Sequence, residues 1–287
     1  MASTMRKIGP GAGTTTPTAR EGSGQVQSLA RGLTLLGLLA QAQEGLSLSA
    51  VAQAAGLAPS TAHRLLRTLE THRFAFNDTT TGHWSVGVAS FAVGAAFVRS
   101  RNYVTIARAY MERLVANADE TANLAIEDAG EAVYLSQVES RQIMRTFTKP
   151  GARVPMHASA VGKALLAALP ENEALLLVSR KGLTRLTPHT LGSPEALTSD
   201  LRMGRQRGFA VDDEEHAVGL RCVASAIYDD QGRPIAAVSL SGPAARIDDR
   251  RLSDFGAMVR ESCRAITDEI GGRSPSANLT HGRTIGP

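Results

Sequence analysis

A short apolar stretch that breaks at Gly56 and restarts at Pro59 constrains this chain more than any other feature. Val51, Ala52 and Ala55 fall on one face of a short helix, with Ser49 as its expected N-cap. Gly56 stops that helix, and Leu57 is placed to plug the core beneath the turn. Pro59 sits where a missing N–H costs little, at the start of a second helix expected over residues 60–72. Ala62, Leu65, Leu66 and Leu69 give that helix its inward stripe. Residues 74–86 then read as two short strands around the polar tip Asn77-Asp78-Thr79-Thr80-Thr81-Gly82, with Phe74, Phe76, Trp84 and Val86 as core. Helix, tight turn, helix and polar-tipped hairpin is the layout of a winged helix-turn-helix.

The outer face of the second helix carries Ser60, Thr61, His63, Arg64 and Arg67. A merely solvated face would carry paired Glu and Lys. Short donors at a helix N-terminus, followed by arginines, permit close approach to a groove and to phosphates. Arg64 and Arg67 are therefore read as contacts to double-stranded DNA. His63 either joins them or finishes the surface. Arg73 and His83 flank the hairpin, within reach of backbone phosphates or simply solvated.

At 287 residues the chain has room for one small and one ordinary domain. Aromatics make up 4% of it, so its cores must rest on Ala, Leu and Val. A net charge of +4 agrees with a nucleic-acid partner without demanding one. The two cysteines, Cys222 and Cys263, form no CxxC or metal-finger spacing, and no apolar run reaches membrane-spanning length. A reducing cytoplasm is the expected compartment. Residues 1–24 lack a secretion-signal core and read as a disordered arm, whose Arg6, Lys7 and Arg20 either brush DNA or are solvated.

Residues 25–86 form the expected DNA-binding domain. Its first helix covers residues 25–42, with Ser28 as N-cap and Leu29, Leu33, Leu36 and Leu39 on one face. Residues 87–101 read as a linker helix, almost uncharged through Arg99, which buries its apolar face against a partner subunit or its own. Residues 102–271 form the second domain. Helices are expected over residues 103–118, 159–168, 194–208 and 248–270. Strands are expected over 121–127, 132–138, 143–147, 209–211, 221–228 and 234–240. Residues 272–287 read as a flexible tail. A sheet flanked by helices at both ends is an α+β plan, not a parallel dinucleotide fold.

No phosphate-loop, zincin or hydrolase motif is present. What remains is small and polar. Ser159, Ala160 and Val161 open a helix whose orphan N–H groups suit a small anion. Asp212 and Cys222 lie on or beside strands, and Ser239 and Ser241 alternate on one strand face. Together they suit a pocket for a carboxylate metabolite. Plainer readings stand beside this: a packed Cys222, a Ser239 that satisfies backbone, and an Asp212-Asp213-Glu214-Glu215-His216 run that is plain surface or an ion-pair network with nearby arginines. Cys222 as a nucleophile with His157 and Asp212, or a metal on Asp212, Asp213 and His216, is permitted by residue type alone. The favoured reading has no catalytic residue, metal or cofactor.

Several stretches together resemble the IclR family of transcription regulators. They include residues 24–29, 60–66, Pro155-Met156-His157-Ala158-Ser159 and Gly162-Lys163-Ala164. The strongest is Asp212-Asp213-Glu214-Glu215-His216-Ala217 with Gly219-Leu220-Arg221-Cys222; Ser241-Gly242-Pro243 and residues 255–259 also match. The resemblance covers residues 24–272. It implies an N-terminal winged helix-turn-helix, a linker helix and a C-terminal GAF-like effector-binding domain. It also implies operator binding as a dimer or dimer of dimers. The best match is to members that repress acetate-type, glyoxylate-bypass operons and respond to glyoxylate or pyruvate. Their pocket falls here on Ser159, Ala160, Val161, Asp212, Cys222, Ser239 and Ser241, flanked by Ile143, Val154 and Leu220. Those members have Gly-Ala where this chain has Ala160-Val161, and Met where it has Thr146, which narrows or redirects the pocket. The family also contains activators of aromatic and sugar-acid operons. An enzyme with a DNA-binding appendage and an architectural DNA-binding protein are the rivals of other classes.

Overall fold

The computed structural model describes residues 26–99, 102–144 and 148–274. The expected N-terminal arm, Thr146 and nearly all of the expected C-terminal tail lie outside the described residues. The chain divides into two units between Ala96 and Phe97.

The first unit opens with α1 (Gln27–Gln41). Val26 occupies the cap position and has no side-chain acceptor, so Ser28 lies inside the first turn instead of capping it. The buried stripe runs through Gly32, Leu35 and Leu39, rotated from the expected one, and Leu29 and Leu33 are exposed. In α2 (Leu48–Ala54) the cap is Ser47, not Ser49: the Ser47 hydroxyl accepts the Ala50 N–H at 3.3 Å. Pro59 is the first residue of α3 (Pro59–Thr71), preceded by extended Ala58. Strands β1 (Ala75–Asn77) and β2 (Trp84–Val86) pair antiparallel, and Leu46 bridges to Trp84. The core gathers Leu35, Leu39, Val51, Leu66, Ala75 and Trp84. Phe76, expected inside, is 56% exposed, and Val86 also faces out. A three-residue strand buries one alternate position, and here the small Ala75 takes it. Helix α4 (Val88–Arg99) follows, with Val88, Phe91 and Val93 exposed.

The second unit is a six-stranded antiparallel sheet with helices on both faces. In chain order come α5 (Asn102–Ala118), β3 (Thr121–Asp128), β4 (Glu131–Val138) and β5 (Arg153–Pro155). A 3-10 turn (Met156–Ala158) leads into α6 (Ala160–Ala168), then α7 (Glu171–Ser179) and α8 (Pro194–Arg207). Strands β6 (Ala210–Asp213), β7 (Leu220–Tyr228) and β8 (Pro234–Pro243) precede the closing helix α9 (Asp249–Glu269). The strand order is β5-β4-β3-β8-β7-β6. Leu124, Val223, Val238 and Leu240 pack on one face against α5 and α9. The other face is floored by Ala125, Ala224 and Ala237, small enough for α6 to sit close. No strand forms at residues 143–144, and Ile143 is 96% exposed. Residues 145–147 of the expected third strand lie outside the described residues. No helix among the described residues is long and apolar enough to cross a membrane.

Close approach of α6 to the turn before it depends on Gly162. A Cβ there would lie 2.4 Å from the Met156 backbone. Gly162→Ala is expected to destabilise the protein by about 1–3 kcal/mol through overpacking. Urea unfolding checks this: the midpoint falls at unchanged slope.

Candidate functional site

Two candidate surfaces exist, one in each unit. In the first, α3 presents Ser60, His63, Arg64 and Arg67 to solvent, with Thr61 half-buried. Ala58 supplies the acceptor for the Thr61 and Ala62 N–H groups. The Arg64 guanidinium has no partner among the described residues, whereas Arg67 pairs with Glu70 at 2.5 Å on a 62% exposed side chain. An exposed pair of this kind is worth little and exchanges readily for a phosphate. His63 stands edge-on to Trp84, with ring centroids 6.4 Å apart. Arg73 is exposed beyond the end of α3, with φ +62°. His83 is half-buried, its Nδ1 3.2 Å from the Glu44 carbonyl. The hairpin tip is a built turn: the Asp78 carboxylate accepts from the Thr80 N–H and the Thr81 hydroxyl. The Thr80 N–H, chiefly, holds the Asp78 carboxyl below its usual range.

In the second unit, a cavity of about 520 Å³ opens between α6, β4 and strands β6 to β8. It is lined by Ser159, Ala160, Val161, Asp212, Cys222, Ser239 and Ser241 together. Sheet register explains the convergence. Ser241 pairs with Cys222 across β8 and β7, and Cys222 pairs with Asp212 across β7 and β6. Ser239 is two residues along, on the same side as Ser241. Val154 and Leu220 line the wall, and Ile143 does not. The Ser159 hydroxyl caps α6, accepting the Gly162 N–H at 3.3 Å and donating to the Pro155 carbonyl at 2.8 Å.

The electrostatics suit an acid. Asp212 is buried, and its carboxylate accepts the Glu215 N–H at 2.8 Å and the His216 N–H at 3.2 Å. Desolvation nonetheless outweighs those bonds and pushes its pKa up to about 7. Burial and then the Asp212 charge push the Cys222 thiol well above its ordinary value, the opposite of what a thiolate nucleophile needs. His157 is buried, its Nε2 3.0 Å from the Thr184 carbonyl. Asp213 faces the other way, paired with Arg221 at 2.6 Å. Among the described residues no group of His, Cys, Asp and Glu is arranged to hold a metal.

The Gly162-Lys163-Ala164 stretch marked a position but gave no sign of what its lysine does beneath the cavity. Lys163 is 0% exposed, one turn along α6 from the cavity wall. Its ammonium pairs with Glu215, and with Asp200 at 2.9 Å. Within the acidic run Asp212 and Glu215 are therefore buried, while Asp213 stays exposed in its pair with Arg221. Tyr134 and Lys149, also on the cavity lining, had no sequence signal, and His216, read as part of the acidic run, lines the cavity too.

Comparison with known proteins matches a family model to each unit. The family model described as the IclR helix-turn-helix domain matches residues 28–78. The model for the bacterial transcriptional regulator IclR C-terminal domain matches residues 95–268. The acetate operon repressor of Salmonella typhimurium is 45% identical over 252 residues, 87% of this chain and 92% of that protein. The transcriptional repressor IclR of Escherichia coli is 44% identical over the same shares. Among solved structures, the Thermotoga maritima IclR superposes with a TM-score of 0.72 at 27% identity, covering 86% of this chain and all of that one.

Removing the buried cation isolates the energetic role of Lys163. Lys163→Ala leaves the Glu215 and Asp200 carboxylates without their partner, at an expected cost of about 3–5 kcal/mol. Lys163→Met, with both Glu215→Gln and Asp200→Asn, is expected to recover much of that loss in the same urea titration.

Proposed function

The chain belongs to the IclR family of bacterial transcriptional regulators, and on that premise we propose that it represses an operon for breakdown of a small acid of the acetate and glyoxylate type. It binds DNA through the helix-turn-helix of its first unit. The exposed Arg64, without a partner among the described residues and behind the short donors Ser60 and Thr61, carries this reading at residue level. Arg67, His63, Arg73 and the His83 hairpin are assigned to its flanks as phosphate or base-edge contacts. The family's recognition helix lies in the major groove, with base edges giving sequence choice and phosphates much of the affinity. The repressor names of the two relatives support the sign of control.

The second unit is assigned as a GAF-like effector domain, and its cavity as the site for a small organic acid, of the class to which glyoxylate and pyruvate belong. A half-protonated Asp212, the Ser239 and Ser241 hydroxyls and the start of α6 all suit a carboxylate. An effector acts only if it binds the two conformations of the regulator unequally. Self-association is assigned to α4 as linker helix. Phe91, at 76% exposure, and Val88 one turn before it leave an apolar strip that a second copy would cover. A pair presents two recognition helices to successive major grooves of one operator.

Two outcomes are expected. Arg64→Ala weakens operator binding by about 1–3 kcal/mol while random-duplex affinity falls less. Gel shifts at near-physiological salt check this, and unchanged operator affinity removes Arg64 from the reading surface. Effector affinity is strongest when Asp212 is protonated, below pH 7. Above it, the dissociation constant of a fully ionised acid rises by about tenfold per pH unit, one proton being taken up on binding. Calorimetry across pH 6–9 reads the slope, which Asp212→Asn should flatten.

A further inference from the structure

The cavity holds more than a two-carbon acid needs. At about 520 Å³ it falls within the range of pockets that enclose drug-sized ligands, roughly 300–1,000 Å³. A sphere of that volume is about 10 Å across, whereas a five- or six-carbon acid chain spans roughly 8 Å. Ala160 and Val161 form part of its wall and do not close it.

Its polar groups come from the sheet and from the turn between β4 and β5. On the floor, Ser239 is a buried residue whose hydroxyl opens onto the cavity and has no hydrogen-bond partner among the described residues. The Tyr134 hydroxyl, on the same lining, has none either, and burial together with the nearby Cys222 and Asp212 pushes its pKa up. Both hydroxyls open onto the cavity and are free to bond a ligand, and the buried His216 Nδ1 on the same lining has no partner among the described residues either. The lining also includes two cations, Lys149 on the turn before β5 and Arg153 at the start of β5. Arg153 is committed to Asp128 and to Glu131. Lys149 is exposed and has no side-chain partner among the described residues.

We propose that the effector is a two-ended acid of about four to six carbons, with one carboxylate on Ser239, Tyr134 and the start of α6 and a second anionic group against Lys149. This rests on the cavity being the effector site, as assigned above. Glyoxylate or pyruvate would satisfy the floor alone and leave Lys149 without a counter-charge.

The test is calorimetry on the full-length protein with glyoxylate, pyruvate, succinate, glutarate, adipate and monomethyl glutarate. At least one diacid is expected to bind about tenfold more tightly than glyoxylate or pyruvate. Monomethyl glutarate, with the length but one charge, should lose about three- to tenfold relative to glutarate. Lys149→Gln should weaken the diacids by a similar factor and leave glyoxylate and pyruvate within about twofold. Two-carbon and three-carbon acids binding as tightly as every diacid would overturn the proposal, as would a Lys149→Gln effect equal for both classes. Binding of either class that Ser239→Ala leaves unchanged would instead reject the cavity, and this proposal with it.

Discussion

An ammonium group sealed from water between two carboxylates is the constraint on which the larger unit depends. Lys163 comes from α6, Asp200 from α8 and Glu215 from the segment after β6. A lone charge so placed would cost several kcal/mol, so the three elements hold one mutual register or none. That register places the start of α6 over the sheet. It also holds the Glu215 and His216 N–H groups on the Asp212 carboxylate. The cavity wall on α6 and the cavity acid on β6 are thus positioned by one buried contact that touches neither the cavity nor any ligand.

The same burial decides the chemistry inside. Two N–H donors would ordinarily hold a carboxyl well into its ionised range. Asp212 has those donors and still titrates near neutrality, because desolvation and the neighbouring Glu215 charge outweigh them and the nearby Lys163. A site for an anion gains from this twice: the repelling charge is removed, and a donor replaces it. Cys222 on the adjacent strand is driven further from reactivity by the same low dielectric.

What the sequence disclosed follows its periodicities. Helices α2 and α3 announced themselves through Gly56, Pro59 and a 3.6-residue stripe, and Ser239 and Ser241 through a two-residue alternation. Failures fell where a period has no room to act. Strands β1 and β2 are three residues long, so alternation could not tell Phe76 from Ala75. Ser47 and Ser49 offer the same hydroxyl two residues apart, and only backbone geometry separates cap from first turn. The first helix was read with its stripe rotated because leucines occupy both its buried and its exposed sides. Lys163 was illegible for a different reason. Its partners lie 37 and 52 residues away along the chain (200 − 163 and 215 − 163), and no local pattern encodes a contact of that range.

Strand β8 shows how little sequence is needed to serve two purposes. Val238 and Leu240 pack against α5 and α9 on one side, while Ser239 and Ser241 face the cavity on the other. A change of ligand chemistry at the floor therefore acts on a strand that also holds the core, and a one-residue slip would exchange the two sets. Lys149 is under no such obligation. It sits on a turn, exposed, with its backbone carbonyl accepting the Ala152 N–H and its side chain free of the sheet. Floor and turn are in this sense separable: the first fixes that an acid binds, and the second can alter which acid without disturbing the fold.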